Sequence, residues 1–231
     1  PYKSSKKIGF AFFADAKIVN DSLKSLGNFA SAWKNVDFNK RIEIIEKFSY
    51  LLELNYKELV EACVKEAGKT ISDSIADIRE AVDFCRYYSI IAKELFKDIE
   101  LPGPTGETNT YRFKGKGLSV VISPWNFPIA IFTGQLVAAL ITGNVVLAKP
   151  AEQTSYCAYV VFKLLLKAGL PNQAACLILG KGEDIGPQLF SNNNLENIVF
   201  TGSLDTAKII QKQLIDRPNI INLIAETGGL N

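Results

Sequence analysis

The feature that most constrains this chain is a change of period at Gly117. From there, short apolar runs alternate with single helical stretches. The order is GLSVVIS, a helix from Pro128 to about Ile141, NVVLAKP, a helix from Thr154 to Lys167, then ACLILG. A helix around Asp184 to Phe190, NIVFTGS, a helix from Leu204 to Leu214 and INLIAETGG complete the series. Strands separated by single helices form βαβ units, whose right-handed crossovers build a parallel sheet with helices on both faces. The expected class is therefore α/β, and 48% hydrophobic residues suffice for the buried core such a sheet needs.

The preceding half has a different rhythm. After Asp37, a plausible cap, Ile42, Ile45, Phe48, Leu52, Leu59 and Cys63 keep a helical stripe that ends at Gly68. After Ser72, residues Ile75, Ile78, Val82, Cys85, Ser89, Ala92 and Leu95 recur three or four apart, which predicts a long amphipathic helix. The stretch LPGPTGETNTYRFKGKG then breaks every pattern. The expected organisation is a helical part over 1–106, a linker or exposed hairpin over 107–116 (with Thr108 to Phe113 as a strand), and the sheet part over 117–231.

Several function classes are disfavoured. A net charge of +2 leaves no basic footprint for nucleic acid. Four cysteines (Cys63, Cys85, Cys157, Cys176) without a C-x-x-C pair, and no histidine, argue against zinc and against a histidine-based triad. Cys63 and Cys85 fall on helical apolar spacings and read as core thiols in a reducing, cytoplasmic setting. The apolar stretch Phe127 to Ala148 is interrupted by Thr133, Gln135, Thr142, Gly143 and Asn144, so it reads as a helix followed by a strand rather than a membrane span. A chain that begins at Pro1 and contains no methionine reads as a piece of a longer polypeptide, or as a processed one.

In a parallel sheet of this kind ligands lie beyond the carboxyl ends of the strands. Here those ends read Ser-Pro-Trp-Asn, Ala-Lys-Pro-Ala-Glu, Leu-Gly-Lys-Gly, Phe-Thr-Gly-Ser and Ala-Glu-Thr-Gly-Gly, and all of them gather polar, charged or glycine residues. Gly202 and Ser203 precede a helix, so they either receive an anion on free N–H groups or simply cap that helix. Lys149 and Glu152 either hold the hydroxyls of a ribose or form a solvated ion pair at a helix start. Asn126 offers a fixed amide donor of the kind that stabilises a developing oxyanion, or else satisfies its own turn. Glu226 is either a general base or the cap of a following helix.

Taken together, SPWNFP, AKPAEQTS, FTGS and ETGG resemble the aldehyde dehydrogenase superfamily in order and separation. EAGKTISDSIADIREAVDFCRYY, GPTGETN, PWNFPIAIFTGQ and IAETGG are more narrowly similar to its pyrroline-5-carboxylate dehydrogenase branch, as found in bifunctional proline-oxidising enzymes. The resemblance implies N-terminal helices followed by a Rossmann-like domain that binds NAD. It implies Lys149 and Glu152 at the adenosine ribose, and Gly202 and Ser203 at the pyrophosphate. Ser123 and Trp125 would line the cofactor site, Asn126 would supply the oxyanion amide, and Glu226 would be the general base.

Ala207 stands where many members carry a second glycine. The family's cysteine nucleophile belongs to a catalytic domain beyond Glu226, and none of the four cysteines here occupies that position. The resemblance thus implies a cofactor-binding portion of an oligomeric enzyme that oxidises glutamate semialdehyde, inactive alone unless a separate chain supplies the rest. Without that cover, Trp125, Phe127 and Phe200 are expected to be exposed. A nucleotide-binding or interaction module without chemistry, or a fragment of another semialdehyde dehydrogenase, is the alternative.

Overall fold

The computed structural model describes residues 7–228. Four helices come first: α1 (Ala16–Lys34), α2 (Phe38–Leu54), α3 (Tyr56–Ala62) and α4 (Ile71–Leu95). Helix α1 was not singled out by sequence, although Val19, Leu23, Leu26 and Trp33 are buried along one face and Asp15 caps it by accepting from the Ile18 amide at 2.8 Å. The stripe from Ile42 to Cys63 is not one helix. It breaks at Asn55, whose side-chain amide donates to the Leu51 carbonyl at 2.7 Å and so competes with the next helical turn. A π turn over Cys63–Ala67 follows α3, and Gly68 ends it in the left-handed region (φ 70°).

Helix α4 starts earlier than Ser72 suggested, because Thr70 is its cap. The Thr70 hydroxyl accepts from the Asp73 amide at 3.1 Å and donates to the Asp73 carboxylate at 2.7 Å. A short antiparallel hairpin, β1 (Ile99–Leu101) with β2 (Asn109–Tyr111), then protrudes with mostly exposed residues.

The remaining elements alternate as expected: β3 (Leu118–Ser123), α5 (Ala130–Ile141), β4 (Val145–Pro150), α6 (Ser155–Lys167), β5 (Ala175–Leu177), α7 (Gly182–Ser191), β6 (Leu195–Gly202), α8 (Leu204–Ile215) and β7 (Asn222–Thr227). All five strands of this sheet pair in parallel, in the order β5-β4-β3-β6-β7. Helices α5 and α6 follow the strands that step one way, and α7 and α8 follow those that step back, so right-handed crossovers place the two pairs on opposite faces. Helix α1 packs with α7 against β3, β4 and β5, while α2 to α4 form an outer layer over α5 and α6.

Strands β3 and β4 are almost wholly buried, which is why they read as continuous apolar runs. The Phe127–Ala148 stretch divides into α5 and β4, and no helix among the described residues is long and apolar enough to cross a membrane. Cys63 and Cys85 are buried free thiols. Burial pushes the Cys85 thiol up to about 12, far from any reactive thiolate.

Candidate functional site

Strand order reverses between β3 and β6, the two neighbours whose following helices leave in opposite directions. A sheet leaves a crevice at that point, beyond its carboxyl edge. A cavity of about 470 Å³ opens there, within the ~300–1,000 Å³ range of small-molecule and cofactor sites. It brings together Ser123 and Trp125 at the end of β3, Lys149 and Glu152 at the end of β4, and Gly202 and Ser203 at the end of β6, with the first turn of α7 closing one side. Asn126 and Glu226 do not line it. The two groups assigned to chemistry thus lie outside the lining that gathers the six assigned to a cofactor, Asn126 directly after Trp125.

Lys149 is not a solvated surface lysine. Only 4% exposed, it has the Pro150 carbonyl at 3.2 Å as hydrogen-bond acceptor, and its nearest carboxylate oxygen, on half-buried Glu152, is 3.7 Å away. Burial pushes its ammonium below the usual lysine range, and Glu152 opposes that shift without overcoming it. The Ser123 hydroxyl, also buried, has no hydrogen-bond partner among the described residues. An under-coordinated cation and an orphan hydroxyl in one cavity suit a polar, hydroxyl-bearing ligand.

Ser203 caps α8 by accepting from the Thr206 amide at 3.2 Å. Gly202 keeps the chain close to the Phe200 ring: a β-carbon at Gly202 would stand 2.6 Å from it. Phe200, expected to be exposed, is only 3% exposed: its ring sits over Gly202 and shares the crevice with Leu189 and Phe190 of α7 and Ile209 and Ile210 of α8. Trp125 is 56% exposed and Phe127 is exposed too, as anticipated.

The Pro124–Pro128 turn is held from below. Asn126 accepts from the Phe127 amide through its side-chain oxygen at 3.2 Å, and its amide nitrogen has no acceptor among the described residues. The carbonyl of Asn126 accepts from Lys69 Nζ at 3.1 Å, and the amide of Ala130 donates to Asp77 at 2.7 Å. Burial pushes the Asp77 carboxyl above the usual carboxylate range, against the pull of the Ala130 amide and of Lys69. Sequence reading passed over Lys69 and Asp77. The available signal was a charged residue on the buried Ser74-Asp77-Ala81 face of α4.

Gln135 is a second omission. Its side-chain amide donates to the Ile122 carbonyl at 3.2 Å and to the Thr201 hydroxyl at 3.0 Å, tying the ends of β3 and β6 together at the crevice. Glu226 faces Thr201 in the register of β6 and β7, is exposed, and lies close enough to Tyr88 to add to the upward shift that burial imposes on its phenol. Gly229 of the ETGG string lies outside the described residues.

A doubly wound parallel sheet with a crevice at its switch point, glycine beside the crevice and a buried lysine within it defines an α/β domain of the Rossmann-like class. The aldehyde dehydrogenase family profile matches residues 1–231, and the chain belongs to that family. It is 40% identical to the bifunctional protein PutA of Salmonella typhimurium over 235 residues, an alignment covering all of this chain and 17% of that protein. It is 33% identical to a 1-pyrroline-5-carboxylate dehydrogenase of Staphylococcus aureus, covering 99% of this chain and 45% of that one.

Among solved structures, proline utilization A from Bdellovibrio bacteriovorus superposes with a TM-score of 0.95 at 32% identity, covering 99% of this chain and 24% of that one. An NAD-dependent benzaldehyde dehydrogenase from Corynebacterium glutamicum gives 0.90 at 25% identity, covering 98% and 50%. The chain therefore spans less than half the length of both curated relatives.

Proposed function

We propose that this chain is the cofactor-binding portion of an NAD-dependent aldehyde dehydrogenase that oxidises glutamate semialdehyde, the open form of pyrroline-5-carboxylate, to glutamate. The observation that carries the reading is the single cavity in which all six sequence-assigned cofactor residues meet around a buried, under-coordinated lysine. Lys149 and Glu152 hold the adenosine ribose hydroxyls, one as donor and one as acceptor. Gly202 and Ser203 receive the pyrophosphate at the start of α8, where free N–H groups favour an anion. Ser123 and Trp125 line the approach to the reacting end. NAD, when bound, supplies the hydride acceptor.

The protein's own chemistry rests on two groups. The free amide N–H of Asn126 donates to the oxygen of the aldehyde as negative charge develops on it. Glu226 takes a proton from the water that releases the acid product. The thiol nucleophile of the family is not one of the four cysteines present: Cys63, Cys85 and Cys157 are buried, and burial pushes the half-buried Cys176 thiol up.

Titration calorimetry with NAD and NADP tests the assignment. Glu152 in contact with a ribose repels an added phosphate, so NAD binds more tightly than NADP. Tighter NADP binding would reject the site as drawn.

A further inference from the structure

The Pro124–Pro128 turn carries the amide to which the proposed chemistry is assigned, yet nothing within the turn fixes its height above the sheet. Helix α5 begins just beyond it, and the residue before α5, Ile129, provides no side-chain cap. The first N–H groups of a helix need acceptors from elsewhere. Asp77 supplies one from α4, which packs along α5. It is wholly buried; one carboxylate oxygen accepts from the Ala130 amide at 2.7 Å and the other from Lys69 Nζ at 3.0 Å.

Lys69 follows the left-handed Gly68 and turns inward. Besides Asp77, it donates to the Asn126 carbonyl at 3.1 Å and lies 4.3 Å over the Phe127 ring. The two charges therefore hold the turn at its centre, through the carbonyl of Asn126, and just past its exit, through the first amide of α5. A buried ion pair is a poor device for stability alone, since apolar residues of the same volume usually serve as well. Its three hydrogen bonds and its one ring contact all lie within the pair or on the turn and helix start that follow β3.

We propose that Lys69 and Asp77 are positioning residues that clamp this turn and thereby aim the Asn126 amide. The clamp itself is read from geometry; its catalytic meaning rests on the role proposed for Asn126. The clamp works through two independent directions. Lys69 prevents the Asn126 peptide from rotating, and Asp77 prevents the first turn of α5 from unwinding and letting the turn slide. Because the Asn126 side-chain oxygen is already tied to the Phe127 amide, fixing the peptide also fixes where its nitrogen points. Lysine suits the task because one ammonium donates to the carboxylate and the carbonyl while its charge faces the ring.

The test uses the chain labelled with nitrogen-15 and the variants Lys69→Met, Asp77→Asn and Lys69→Arg. The side-chain amide resonances of Asn126 are identified by their loss in Asn126→Asp. Lys69→Met and Asp77→Asn should shift and sharpen those resonances and raise amide exchange at least tenfold at residues 125–127 and 129–131, with β4 unchanged. Lys69→Arg keeps charge and donors, and should fall between these variants and the parent. Unchanged Asn126 resonances in a folded Lys69→Met chain, or exchange that rises equally across α4, α5 and β4, overturns the clamp. In a fusion that restores aldehyde oxidation, Lys69→Met should lower kcat about tenfold and leave the KM for NAD in place. A released Asn126 with unaltered kcat removes the oxyanion role and leaves the clamp standing.

Discussion

Replacing Lys149 by methionine separates what the cavity does for folding from what it does for binding. Among the described residues, the buried Lys149 ammonium donates one hydrogen bond, to the Pro150 carbonyl, and its closest carboxylate oxygen lies at 3.7 Å. At that distance an effective dielectric constant of ~20 gives an attraction of about 4 kcal/mol. Removing the ammonium from water costs several kcal/mol, so the pair contributes roughly nothing, or less. Methionine has similar length and no charge, and Glu152, still a third exposed, keeps its water. We expect Lys149→Met to be about 1–2 kcal/mol more stable than the parent at neutral pH, within the ~1–4 kcal/mol seen when buried ion pairs give way to apolar groups.

The pH dependence identifies the cause. The folded-state pKa of Lys149 is lowered, so between it and the unfolded value the unfolded chain binds more protons. Stability of the parent should therefore rise with pH across that alkaline window, and the methionine variant should lose the Lys149 contribution to that slope. Urea unfolding at a series of pH values measures both quantities. Calorimetry on the same variant should show NAD affinity down at least tenfold, because a ribose hydroxyl loses its cationic partner. A variant that is less stable by more than 1 kcal/mol at neutral pH would show that Lys149 holds the fold together. Unaltered NAD binding would show that the ribose lies elsewhere.

Three further outcomes are expected. Gly202→Ala places a β-carbon 2.6 Å from the tip of the Phe200 ring, which must give way toward the cavity it lines, and should cost about 1 kcal/mol in thermal or urea unfolding. The chain as it stands should form no NADH from glutamate semialdehyde, since its cysteines are buried or half-buried; absorbance at the NADH band above background would sink that expectation. Once aldehyde oxidation is restored by fusion or co-expression, Asn126→Ala should lower turnover about 10²–10³-fold with little change in NAD affinity, and a variant of parental activity would make the turn mere scaffold.

The alternation of strands and helices after Gly117 was legible because side-chain period is a local property, visible within a few residues of each element. Helix caps such as Asp37 and Ser203 were legible for the same reason, and Asn55 shows the limit: its side chain ends a helix whose apolar stripe continues unbroken. The polar residues at the strand ends, and the strings that carry the family resemblance, also needed only the linear chain. Three-dimensional packing decided the rest. Strand order places β3 beside β6, whose paired residues lie more than 75 positions apart, and that adjacency opens the crevice between them.

Burial then settled ambiguities that composition leaves open. Lys149 and Glu152 look like a surface pair until helix α7 covers the lysine, and Phe200 looks exposed until α7 and α8 close around the crevice it shares with them. The grip of Lys69 and Asp77 on the Asn126 turn spans about fifty residues of sequence. No short-range pattern records such a contact, because a charge inside an amphipathic helix becomes meaningful only when a neighbouring helix removes its water.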